Sequence, residues 1–499
     1  MERYGEILQL LSSIVPLLWL CYALIFRVTK PHIACIISLL ITIFGSIYVW
    51  RTPGSTVVWS IIDGVISSLY PIIWTIFSAL FTYRLICEIN AIEGIKRSLS
   101  VISDNRLTQA LIVAFCFGSL LEGIAGFGTS VIIPSAILLS LGFPPYQSAM
   151  ISLISNTVPV VYAAVGVPVM ALARVTGMSL KALSGIIGLQ LFPVTLIVPF
   201  FIKEILKIPA DIILISGTGL VFALTQSLTG WYIGPELPAI LAPFVTISFL
   251  IVYTRIKEEG QGIKDISRED LKSWLPYGLI VILILLTRLN GNISSLLSSH
   301  PFSFSFVIGP LNKTVKIDYI YTPGTLIMIS AVTGGLILKA RLSDYKRALL
   351  GTFLQILPTL SIITSMIIMA NLMSYAGMTK LLAIKLVRVF GIFYPFISPL
   401  VGAIGTFLGG SDTTSNILFG VLQTEAGKNI GVSPLWLAGA NASGATGGKL
   451  ISLQNLTLAV SGINKKGEEG RLMRLIFPYF LLYLGVMGLI IYTGSRFIH

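Results

Sequence analysis

Long apolar runs succeed one another along nearly the whole chain, and polar residues are confined mostly to the short stretches between them. The runs fall at about 7–26, 32–50, 57–87, 107–122, 146–172, 182–202, 209–228, 235–254, 274–288, 323–338, 348–373, 392–408 and 475–494. About 20 apolar residues in a helix cross the hydrocarbon core of a bilayer. The pattern predicts an all-α, polytopic membrane protein of about 12 transmembrane helices. Two further pieces, near 124–141 and 411–425, have a length or polarity that suits re-entrant hairpins better.

Composition agrees. Only 11% of the 499 residues are charged and 55% are hydrophobic, with a mean hydropathy of +0.89. A soluble chain carries about 25% charged residues. No long polar segment interrupts the runs, so 1–499 reads as one membrane domain facing a lipid bilayer. The net charge of +13 would raise nucleic acid as a partner in a soluble protein. Here Lys and Arg cluster in short connections, where they set membrane orientation, and no nucleic acid is expected. Cys21, Cys35, Cys87 and Cys116 lie in or beside apolar runs without a CxxC pair, and His32, His300 and His499 are scattered. No metal site and no cofactor is expected. Residues 1–26 lack a basic leader and read as a first membrane helix rather than a signal peptide.

Arg27 and Lys30, Lys96 to Arg106, Lys203 and Lys207, the run 255–272, the turn 339–347 and Lys465 to Arg474 mark one side, assigned to the cytoplasm. Alternation then puts both termini outside the cell membrane, together with the loop 289–322. That loop carries the glycosylation patterns Asn292-Ile-Ser294 and Asn312-Lys-Thr314. Arg174 and Lys181 fall outside against the trend. Asp63, Arg84, Asp211 and Glu236 read as charges near segment ends, with Arg84 and Glu88 spaced to pair on one helix face.

An offset of 287 sets Pro71 on Pro358 and Gly118-Ser-Leu-Leu-Glu-Gly123 on Gly405-Thr-Phe-Leu-Gly-Gly410. A long apolar helix, an amphipathic basic stretch, another apolar helix and a polar break follow in the same order in both halves. The basic stretch lies inside in one half and outside in the other. This predicts inverted-topology repeats, with cores at 57–172 and 345–460 and the site near the midplane, one repeat rocking against the other.

The two breaks carry the candidate chemistry. The first includes Glu122, Gly126, Gly128, Thr129 and Ser130; the second includes Ser411, Asp412, Thr413, Thr414, Ser415 and Asn416. A broken helix survives at membrane depth only where protein or a wet cavity satisfies its backbone. Hydroxyls at the start of the following half-helix sit at its positive end, which suits an anion. GxxxG-like packing accounts for the glycines alone but not for Glu122 and Asp412, since an intramembrane carboxylate is costly. Removal from water favours the neutral form of a carboxyl group, so either residue could carry a proton. Asp412 has a second reading, as a sodium ligand with Ser411, Thr413 and Asn416. Asn156 and Thr157 interrupt another apolar helix. The stretch Asn441 to Asn455 contains Ser443, Lys449 and Ser452, and Lys449 is the candidate to face a carboxylate. A P-loop reading fails because Leu450 stands where Ser or Thr is needed.

The run Leu121-Glu122-Gly123-Ile-Ala-Gly126-Phe127-Gly128, the break Asn156-Thr157-Val-Pro159, the run Gly410-Ser411-Asp412-Thr413-Thr414-Ser415-Asn416 and the segment Gly448-Lys449-Leu-Ile-Ser452 occur in an order that resembles the L-lactate permease family, which also includes glycolate permeases. The resemblance spans nearly the whole chain. It implies proton-coupled uptake of lactate and related 2-hydroxy monocarboxylates. Leu453 stands where the family has a proline, and Thr129-Ser130 replace a more apolar pair, differences that bear on substrate choice. A sodium-coupled dicarboxylate carrier is the competing transporter reading, but two carboxylates usually recruit more than one cation and only Lys449 is well placed. An intramembrane enzyme is disfavoured, because neither HExxH nor a nucleophile–base pair is present in the membrane segments.

Overall fold

The computed structural model describes residues 2–498 apart from 27, 101, 104, 127, 210, 258–266 and 309–312. Arg27, Phe127, Asn312, His499 and the middle of the 255–272 loop, named above, lie outside the described residues. The chain is almost wholly helical, and the described sheet is one antiparallel hairpin, Ser303–Ile308 with Lys313–Asp318, in the loop 289–322. Among the described residues ten helices are long and apolar enough to cross a membrane, or up to twelve if each of two bent pairs is one span. Leu40, Phe44, Ile213 and Leu350 are among the large apolar side chains turned outward, as a lipid-facing surface requires.

The apolar runs at 107–122 and 392–408 lie in two of these ten helices, and each is also the first leg of a helical hairpin. Arg106–Ile124 turns back at Gly126–Gly128 into Thr129–Ser140, and the two legs lie side by side: a Cβ on Gly118 would meet Pro134 and the Ser130 carbonyl, each at 3.3 Å. Tyr394–Gly409 turns back at Gly410–Ser411 into Asp412–Ile430, and Ser415 Oγ reaches across to Gly402 O at 2.7 Å. Both are helical hairpins entering the protein and leaving on the side they came from. The turns sit where glycine allows left-handed backbone, at Gly126 (φ 62°), Gly128 (φ 79°) and Gly410 (φ 65°). The first leg is 94% buried over its most apolar stretch, against 22% for Tyr4–Leu24, so the hairpin is shielded from lipid by protein.

Each hairpin is followed by a broken helix. Pro145–Asn156 bends by 60° into the segment that ends at Thr176. Ala164, Val165 and Gly166 all have positive φ, a strained run for Ala and Val. Pro434–Gly448 is followed, after a break at 449–452, by Leu453–Gly462. No apolar run marked this second broken helix, because Asn441, Ser443, Thr446 and Lys449 lower its apolarity. All four are buried within protein, which removes the need for a lipid-compatible surface.

The halves are interleaved. Ala163–Thr176 packs against the return leg Asp412–Ile430, and Leu453–Gly462 packs against the return leg Thr129–Ser140. Side-chain amides satisfy the carbonyls freed at the breaks. Asn416 Nδ2 donates to Pro168 O at 3.0 Å, Gln226 Nε2 to Val158 O at 2.9 Å, and Asn455 Nδ2 to Lys449 O at 3.3 Å. Water is scarce at this depth, and an unpaired carbonyl there would cost several kcal/mol.

Two charge assignments are corrected. Asp63 is no segment-end charge. It is fully buried, accepts from Asn371 Nδ2 at 2.8 Å and lies 3.6 Å from Arg174 Nη2. That pairing neutralises the residue that sat badly with the orientation rule. Arg84 and Glu88 do not pair; Arg84 donates to Gln355 Oε1 and Glu88 binds Arg347 at 2.7 Å, because both side chains find partners on the neighbouring Leu342–Tyr375 helix.

Close packing sets a stability test. A Cβ on Gly123 would lie 2.6 Å from the Ala239 carbonyl oxygen and 2.9 Å from its carbon. Backbone cannot yield as a side chain does. Gly123→Val is expected to destabilise the fold by about 1–3 kcal/mol or more, read as a lower thermal midpoint in detergent. An unchanged midpoint would contradict this packing.

Candidate functional site

The two hairpin turns and the two helix breaks converge on one cavity of about 160 Å³. Glu122 and Gly126 come from the first turn, and Gly409 to Thr414 from the second. Val160, Ala163, Ala164, Val167 and Pro168 come from the first broken helix, and Lys449 and Gln454 from the second. Ile76, Thr359, Ile362 and Ile363 close the wall. A further cavity of about 590 Å³ shares Ile362, Gly409, Gly410, Thr414 and Gln454 with it and runs out to Thr29 and Glu469. The site is therefore joined to the face carrying Lys465 to Arg474.

Glu122 is 1% exposed. Its Oε1 stands 3.6 Å from Lys449 Nζ and has no hydrogen-bond partner among the described residues. Its Oε2 is bonded to Ser130 Oγ, which also lies 2.9 Å from Asn156 Oδ1. A hydroxyl has one proton to donate. With Glu122 ionised, Ser130 donates to it, and turning the Asn156 amide over offers Nδ2, otherwise unpartnered, to Ser130. With Glu122 protonated, Glu122 donates to Ser130 and Ser130 donates to Asn156 Oδ1. The same three side chains thus accommodate both protonation states by reversing the direction of donation.

Asp412 opens the return leg of the second hairpin. It is 1% exposed; its Oδ1 accepts from Thr406 Oγ1 at 3.1 Å, while Oδ2 has no hydrogen-bond partner among the described residues. Ser411, Thr413 and Thr414 line the cavity beside it, at the start of a helix whose free N–H groups favour negative charge. One ammonium and two carboxyl groups therefore meet in a small chamber with apolar walls.

The sequence model of the L-lactate permease family matches residues 9–497. The L-lactate permease of Streptococcus iniae is 36% identical over 444 residues, covering 86% of this chain and 93% of that protein. The chain belongs to the L-lactate permease family. Glycolate permease GlcA of Escherichia coli is 29% identical over 542 residues, covering 98% of this chain and 96% of that protein. The crystal structure of the YdaH transporter of Alcanivorax borkumensis matches with a TM-score of 0.50 at 13% identity over 85% of each chain, a likeness of fold alone.

In this member of the L-lactate permease family the other sequence-predicted residues stand behind the cavity wall. Thr129 Oγ1 bonds Gly126 O, Thr157 Oγ1 bonds Ile154 O, and Gly128 packs on Leu458. Ser415, Asn416 and Asn441 form a hydrogen-bonded cluster that ties the second hairpin to its neighbours. Ser443 bonds Gln190, and Ser452 caps the Leu453–Gly462 helix. Sequence reasoning missed the permease's apolar wall and Gln454. The wall carries no polar signal. Gln454 stood in the polar stretch but only gains its place by lying in the first turn after the break.

Proposed function

We propose that the chain is a proton-coupled symporter of lactate and related 2-hydroxy monocarboxylates such as glycolate. The observation that carries this reading is the Glu122–Lys449 pair at the meeting point of the four breaks, backed by the Ser130–Asn156 relay. A carboxylate entering the cavity needs Lys449, and Glu122 already occupies its neighbourhood. Burying a further unpaired charge in such a site is expensive. A proton on Glu122 frees the ammonium for the substrate, so anion and proton load together without a change in net charge. Asp412 is the second candidate to hold the proton. The hydroxyls of Thr413, Thr414 and Ser411 and the start of their helix supply the polar end of the substrate site.

Residues 57–172 and 345–460 are read as the cores of two inverted repeats, with both termini outside. The supporting observation is the reciprocal packing of each broken helix on the other half's hairpin. Alternating access would open the cavity to one face and then the other. Proteoliposomes with an imposed inward proton gradient and no sodium are expected to accumulate labelled lactate, with no response to membrane potential. Uptake that requires sodium would overturn the proton assignment and favour Asp412 as a cation ligand.

A further inference from the structure

A second cavity, of about 590 Å³, lies under the β-hairpin. It is lined by four cationic side chains, Arg174, Lys181, Arg288 and Lys316, and by two acids, Glu236 and Asp318. Both acids are engaged. Glu236 Oε1 accepts from Arg288 Nη2 at 2.8 Å, and Asp318 Oδ1 lies 3.0 Å from Lys316 Nζ. Arg174 leans on Asp63, which does not line the cavity, and Lys181 has no ion-pair partner among the described residues. One positive charge, Lys181, is thus left over facing the space.

The wall is also incompletely satisfied. Arg288 is only 10% exposed and its guanidinium stacks 3.9 Å over the Tyr321 ring, yet among the described residues Arg288 Nε and Arg174 Nη2 have no hydrogen-bond acceptor, and Glu236 Oε2 and Asp318 Oδ1 have no hydrogen-bond donor. Buried polar groups are normally paired. The two unsatisfied guanidinium donors match the carboxylate of a 2-hydroxy acid, which accepts, and the unsatisfied oxygens of Glu236 and Asp318 match its hydroxyl, which donates. Small rotations of these side chains would bring the unpaired atoms to the cavity surface. Two helices connect this space to the central cavity. Pro168 and Ile76 line the central site, while Arg174, on the same helix as Pro168, and Pro71, one turn before Ile76, line this one.

We propose that this cavity is a second binding site for a small 2-hydroxycarboxylate anion, in line with the central site. The inference rests on the carrier reading given above for its choice of ligand. Its unpaired Lys181 and the free guanidinium donors hold the anion before it reaches Lys449. The ion pairs alone admit a plainer role, clamping the β-hairpin to the bundle, and a binding stoichiometry separates the two.

The test is equilibrium binding of labelled L-lactate to the purified full-length protein at low ionic strength. Two sites per chain are expected. Lys449→Gln should leave one, and that site should weaken about tenfold on adding Lys181→Gln with Lys316→Gln, with the difference shrinking as salt is raised. Those two lysines are exposed enough that their loss leaves the fold intact, so the pair can also be tested without touching Lys449; binding should then fall toward one site per chain. A wild-type protein that transports lactate but binds only one per chain overturns this inference alone, as does a remaining site indifferent to both lysines. A protein that neither transports nor binds lactate overturns the carrier reading, and this inference with it.

Discussion

Lys449→Gln is expected to weaken lactate binding at the central site on the order of a hundredfold and to remove measurable counterflow at substrate concentrations that saturate the wild type. Among the described residues Lys449 is the one cation lining the central cavity. In the loaded site Lys449 pairs with the lactate carboxylate; truncating one partner of a buried, hydrogen-bonded charge pair costs about 2–5 kcal/mol, and each 1.4 kcal/mol is about tenfold in affinity. Part of that cost arises from leaving Glu122 buried beside no cation. Lys449→Gln combined with Glu122→Gln should therefore recover thermal stability while remaining unable to bind lactate. Counterflow at wild-type KM in the single variant would remove Lys449 from the substrate site.

The second large effect is expected from Glu122→Gln. Glutamine keeps the size of the side chain and can still bond Ser130, but it cannot ionise. Lactate should still exchange across the membrane within about tenfold of the wild-type rate, since the ammonium of Lys449 is now permanently available. Accumulation against a gradient should be lost, because no proton is taken up or released at this position. Initial rates of counterflow and the steady-state level under an imposed proton gradient, measured side by side, check it. A variant that concentrates lactate normally would pass the role to Asp412, with Asp412→Asn the decisive comparison.

Much of the architecture was legible because lipid constrains sequence strongly. The apolar runs mark the spans, and glycine with an intramembrane carboxylate marks each hairpin turn. Where protein rather than lipid surrounds a helix that constraint disappears, and Pro434–Gly462 stood out by its polar residues and not as an apolar run for this reason. The polar residues of the breaks were legible as a class but not by direction. Asn416 and Asn441 look like ligands in sequence, yet they spend their hydrogen bonds on Pro168 and Ser415 carbonyls and on each other. The need for internal carbonyl partners is as strong a reason for polarity at membrane depth as substrate is. The cavity under the β-hairpin had no linear signature, because Arg174, Glu236, Arg288 and Lys316 come from four separated segments.

The bond from Asn416 to the Pro168 carbonyl bears on how such a chain can be assembled. The first half exposes a carbonyl that only the second half can cap, and Thr129–Ser140 in turn lacks its packing surface until Leu453–Gly462 arrives. Neither half is a self-sufficient unit in the bilayer. During synthesis the first broken helix must wait, incompletely bonded, for more than two hundred residues to follow. On the inverted-repeat reading proposed above, a single-copy ancestor would have needed two chains in opposite orientations, each supplying the caps that the other lacked.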